Sequence, residues 1–197
     1  MQTGLARALV PALALVPTAA FAHIGVDDGQ GFGRGFAHPL GGLDHVLAMV
    51  ALGILAWQIG GRALLLLPAS FVLVMAAGAM LAIIGSTLPG IEIGLALSVI
   101  VLGTLVTFGA RTPLATASAL AGLFALFHGH AHGVEMPVGA LAASYGAGFL
   151  SATAVLHGCG IALASLVGRI AAAPGDAAFR LGGAGIAICG FVLLTQP

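Results

Sequence analysis

From residue 38 onward, long apolar stretches dominated by aliphatic side chains and nearly free of charge follow one another with only short interruptions. They lie at about 38 to 59, 63 to 84, 91 to 109, 114 to 133, 140 to 168 and 179 to 195, and the breaks include Gly60-Gly61, Pro89-Gly90 and Pro113. A helix rises ~1.5 Å per residue, so a hydrocarbon layer of ~30 Å takes about 20 such residues. Each stretch is therefore long enough to cross a bilayer, and the spacing predicts an all-α membrane protein built as a six-helix transmembrane bundle. The 197 residues leave no room for a separate soluble catalytic domain.

Composition agrees with this. Charged residues make up 6% of the chain, against about a quarter in soluble domains, and the mean hydropathy is +1.16. Six Arg balance six acidic residues and no Lys occurs, so there is neither a basic field for nucleic acid nor the lysine of a phosphate-binding loop. Transport by such a chain must draw on something other than ATP bound to it. The expected surroundings are lipid, with no nucleic-acid partner.

Residues 1–22 combine Arg7, a short apolar stretch from Ala8 to Val16 and the small-x-small sequence Ala20-Phe21-Ala22, the pattern of a cleavable signal peptide. An uncleaved first helix is the alternative; Pro11, Pro17 and the short apolar run count against it. Cleavage after Ala22 would expose His23, whose α-amine and imidazole form a chelating pair. Residues 23–36, with five Gly and the pair Asp27-Asp28, read as a flexible periplasmic tail, and 37–197 as the transmembrane domain. With the mature N-terminus outside, Arg62, Arg111, Arg169 and Arg180 all fall in the three inner loops and only Arg34 lies outside, as the positive-inside rule requires. Both mature termini are then periplasmic, and the membrane is the bacterial inner membrane. Abundant Gly, including Gly129-x-x-x-Gly133, suits close helix approach in lipid.

Ionisable side chains inside a bilayer cost at least ~2.5 to 3.5 kcal/mol each, so their positions point to function. The first span opens His38-Pro39-Leu40-Gly41-Gly42-Leu43-Asp44-His45. Pro39 suits a first helical turn, which puts His38 at the outer mouth; on a continuous helix His45 returns to the same face about 10 Å deeper, too far for one metal to bridge. A polar helix start favoured by the dipole is the bland alternative, but Asp44 and His45 would lie nearly two turns in. The fourth span ends Phe127-His128-Gly129-His130-Ala131-His132-Gly133-Val134-Glu135. At 100° per residue His128, His132 and Glu135 share one stripe, a ligand set for a divalent metal, while His130 points away. Interfacial histidines gathered by chance are the competing reading. His157 lies deep in the fifth run with Thr153 one turn earlier as a hydrogen-bond partner, although a lone buried histidine is often structural. Cys159 and Cys189 read as small packing residues, a redox pair being the alternative. Glu92 and Asp176 read as carboxylates at helix starts.

At these motifs the chain resembles the HupE/UreJ family of nickel and cobalt permeases, small bacterial inner-membrane proteins associated with hydrogenase or urease maturation. His38-Pro39-x-x-Gly42-x-Asp44-His45 is similar to that family's first-span signature, and Phe127-His128-Gly129-x-Ala131-His132-Gly133-x-Glu135 to its second; Leu156-His157 to Gly160 resembles a further stretch. The resemblance implies Ni2+, with Co2+ as second cargo, as transported substrate and not as cofactor, no enzymatic activity, and hydrogenase or urease maturation proteins as partners. The residues that would meet the ion are His23, His38, Asp44, His45, His128, His132, Glu135 and His157. A membrane-embedded zinc hydrolase using the same cluster is the main rival, and a haem-binding subunit a second.

Overall fold

The computed structural model describes residues 31–109, 112–136, 142–170 and 177–195. Among them are seven helices and no strands: α1 Phe32–Gly41, α2 Leu43–Ile59, α3 Ala63–Ile83, α4 Ile91–Phe108, α5 Leu114–Val134, α6 Ala142–Ile170 and α7 Ala177–Leu194. Helices α3 to α7, five in all, are each long and apolar enough to cross a membrane; α1 and α2 reach that length only as a pair, bent by 86°. Leu65, Leu73 and Leu181 project into the surroundings whereas His128, His132 and His157 are buried. Apolar outside and polar within is the arrangement of a multi-pass membrane protein, where lipid replaces water at the surface. The signal peptide, His23, residues 24–30, Arg111 and Asp176 lie outside the described residues.

The expected first span is broken at Gly42. Gly42 is extended (φ −96°, ψ 119°), so the helical hydrogen-bond ladder stops there and restarts. Its carbonyl accepts the first bond of α2 from the Val46 N–H (3.0 Å), and Asp44 falls in the first turn of α2, where the dipole favours a carboxylate. Two expectations change accordingly. Pro39 sits inside the last part of α1 and not in a first turn, and Asp44 and His45 open a new helix instead of lying two turns into an old one. The predicted tail also ends early, because Phe32 to Phe36 are helical.

Helix contacts are made where glycine removes the side chain. A Cβ on Gly129 would lie 2.7 Å from the Met75 carbonyl carbon, and one on Gly133 would meet Ala79 and Ala82, so the Gly-x-x-x-Gly pair brings α5 against the α3 backbone. Gly35 and Gly148 bring α1 onto α6, Gly53 and Gly160 bring α2 onto α6, and Gly103 and Gly183 join α4 to α7. The bundle thus comprises three backbone-to-backbone groups: α1-α2-α6, α3-α5 and α4-α7. Between groups the contacts are side chains, such as Phe127 of α5 over Gly94 of α4. His38, His45, His128, His132 and His157 line the seam between the first two groups.

Candidate metal pathway

The seam begins at the end of the bundle where α1 meets α2, α5 ends and α6 begins. Here His38 on α1 donates from Nε2 to Oε2 of Glu135, just past α5, at 2.8 Å. The half-exposed Glu135 carboxyl is held below the usual carboxylate range, chiefly by this bond. His38, His132 and Glu135 can each present a ligand atom such that all lie within 4.8 Å of one another. Ligands at ~2.0 to 2.2 Å from one ion sit at most about 4.4 Å apart, so small side-chain adjustments would close this triad on a divalent metal.

Behind the triad the imidazoles continue inward. The His132 ring lies 5.0 Å from His38 on one side and 4.4 Å from His45 on the other, and His45 lies 4.8 Å from His128 (centroid distances). The bend at Gly42 makes this possible. It places His38 and His45 on either side of one partner, where an unbroken helix would have held them apart.

Hydrogen bonds set the tautomers. His45 donates from Nδ1 to Asp44 Oδ1 (3.0 Å), and His128 from Nδ1 to the Phe124 carbonyl (2.9 Å). In the neutral form of each ring Nε2 then carries the lone pair, and among the described residues neither Nε2 has a hydrogen-bond partner although both are buried. His132 and His157 are buried with neither ring nitrogen partnered among the described residues. A buried polar atom without a partner costs about 1 to 3 kcal/mol, so one seam carrying six of them is a standing demand for a ligand. Imidazole lone pairs, two carboxylates and no thiolate form a donor set for a borderline divalent ion.

His157 is reached past Phe71, whose ring packs edge-on against His128 (5.7 Å) and against His157 (5.2 Å). Thr153 is not its partner: the hydroxyl donates to the Phe149 carbonyl at 2.9 Å, back along its own helix. His130 faces away from the seam, as the helical spacing predicts, and donates from Nε2 to the Ser86 carbonyl at 2.9 Å. Cys159 and Cys189 are free thiols, Cys159 on the exposed face of α6.

Three residues in these surroundings, Phe71, Phe149 and Tyr145, carried no signal that the sequence analysis used. Phe71 lay in an apolar run with nothing to distinguish it. Phe149 stacks on His132 (5.0 Å, 18° between planes), and Tyr145, one turn earlier on α6, lies 6.0 Å from His38; their i, i+4 spacing was the available signal. Glu92 keeps its place in the first turn of α4, yet it also lines a cavity of about 350 Å³ together with Asp44.

The HupE / UreJ protein family matches residues 11–193. The chain is 47% identical over 184 residues to Protein HupE of Rhizobium leguminosarum bv. viciae, covering 93% of this chain and 94% of that one. No solved structure matches. A family match over nearly the whole length, together with 47% identity to a relative across 93% of the chain, makes this chain a member of the HupE / UreJ family.

Proposed function

We propose that this protein carries a divalent transition-metal ion, Ni2+ first and Co2+ second, across the bacterial inner membrane from periplasm to cytoplasm without ATP. The observation that carries the reading is the file of imidazoles from His38 through His132 and His45 to His128, with unpartnered nitrogens along it. Membership of a family associated with nickel and cobalt uptake for hydrogenase and urease supports the choice of ion, and maturation proteins of those enzymes are the proposed recipients.

Orientation follows from arginine. Arg62 caps the start of α3, Arg169 lies in the last turn of α6 and Arg180 near the start of α7, all at the end of the bundle remote from Glu135. That end is cytoplasmic by the positive-inside rule, and the Glu135 end periplasmic. His38, His132 and Glu135 would capture the hydrated ion, with His23 of the signal-cleaved chain as an outer chelator. His45, oriented by Asp44, and His128 would replace further water, and His157 would receive the ion beyond Phe71. Ligands spread along a file, each site incomplete, bind weakly enough to release. The membrane potential supplies ~2.3 kcal/mol per charge per 100 mV, hence ~4.6 kcal/mol for a divalent ion, roughly a thousandfold accumulation.

Uptake of radioactive nickel and cobalt into proteoliposomes tests this. His45→Ala and His132→Ala are expected to abolish flux driven by an inward-negative potential, and His157→Ala to slow it. Wild-type flux in the first two variants would refute the pathway.

A further inference from the structure

Tyr145 is 2% exposed and its hydroxyl is buried with no hydrogen-bond partner among the described residues. Its ring stands 6.0 Å from that of His38, and it lines, together with His132 and Met136, a cavity of about 410 Å³ between α3, α5 and α6. The backbone fixes this placement: Gly35 of α1 rests on the Tyr145 backbone, and His38 follows Gly35 by one turn on the same face. Phe149 continues the wall by stacking on His132. The phenol therefore stands beside two of the three triad residues, in a place where an apolar ring would fill the same space without an orphaned hydroxyl.

A neutral phenol is a poor direct ligand, since its ordinary pKa near 10 keeps the proton in place, but its oxygen accepts hydrogen bonds and its O–H donates one. Three protein ligands leave coordination positions that water fills, and water polarised by a divalent ion is a strong hydrogen-bond donor. Resting on the transport reading above, we infer that Tyr145 is a positioning residue: its hydroxyl accepts a hydrogen bond from a water still bound to the ion at the His38–His132–Glu135 triad. The outer station then recognises a partly hydrated ion, and the water held by Tyr145 is given up as the ion passes inward to His45 and His128.

The chain contains a single tyrosine, so its ultraviolet resonance Raman signal reports on this site alone. The purified full-length protein in detergent is titrated with NiCl2, following binding and the tyrosine bands together. The expected result is a saturable tyrosine shift with the same midpoint as nickel binding. Tyr145→Phe keeps the ring and should weaken binding about tenfold, the scale of one hydrogen bond to a charged complex, while thermal stability holds. A packing role would instead leave the affinity of Tyr145→Phe unchanged. Nickel binding without a tyrosine shift, or wild-type affinity in Tyr145→Phe, overturns the inference and leaves the transport reading standing. Absence of nickel and cobalt binding in the unaltered protein would remove both.

Discussion

Placing a methyl group on Gly129 should damage transport more than any change of similar size elsewhere on α5. A Cβ there would lie 2.7 Å from the Met75 carbonyl carbon and 2.9 Å from its Cα, with the carbonyl oxygen nearer still, where ordinary contact begins at 3.4 Å. These are backbone atoms of α3, and no side-chain rotation relieves the clash. The helices must part by at least about 0.7 Å, the difference between 3.4 and 2.7. Gly129 lies between His128 and His132 in sequence, so both imidazoles move with the backbone. Metal coordination tolerates about 0.2 Å, and disturbing groups that only orient a ligand already costs about 10- to 100-fold in metal affinity. Gly129→Ala should therefore lower nickel flux at least tenfold. Overpacking of ~1 to 3 kcal/mol also predicts a lower thermal midpoint. Gly122→Ala, on the same helix with nothing within 4 Å of the added carbon, is the matched control and should transport normally. The assay is nickel uptake into proteoliposomes, normalised to monodisperse folded protein and run at a temperature well below both midpoints. Wild-type flux in Gly129→Ala would refute the claim that close α3–α5 contact sets the spacing of the imidazoles.

Two further outcomes follow from the geometry. The Glu135 carboxyl titrates below its unfolded value because His38 stabilises its charged form, so this contact favours the folded state above the usual glutamate value of about 4.3. The contribution fades as pH falls through the lower folded value and, at a half-exposed group, it is small. Infrared difference spectra of the protein against Glu135→Gln should place the carboxylate midpoint below 4.3, and His38→Ala should raise it; a midpoint at or above 4.3 contradicts the pairing. Thr153→Val removes a hydroxyl that bonds only along its own helix and to the Met75 sulfur, so nickel uptake should stay within about twofold of normal, and a larger loss would assign Thr153 to the pathway after all.

Some of this was legible without a structure because it depends on periodicity alone. A 100° step per residue puts His128 and His132 on one stripe and turns His130 away, whatever the helix packs against. The apolar runs likewise announce spanning helices, because no other backbone satisfies its own hydrogen bonds in lipid. The first span was misread for a physical reason. Periodicity assumes the helix continues, and whether Gly41-Gly42 lets it continue depends on what α1 can dock against. Here Gly35 and Gly148 let α1 lie on α6, and the 86° bend follows.

What the amino-acid order determined by itself was the number of apolar runs, the types of donor group and the face each presents on its own helix. Tertiary structure alone decided which donors meet. His38 and His45 flank His132 only because the chain bends between them, and Phe71, Tyr145 and Glu92 acquire their neighbours from helices distant in sequence. Such meetings depend on the spacing between helix backbones, which is set jointly by glycines on different helices and cannot be read from any one of them.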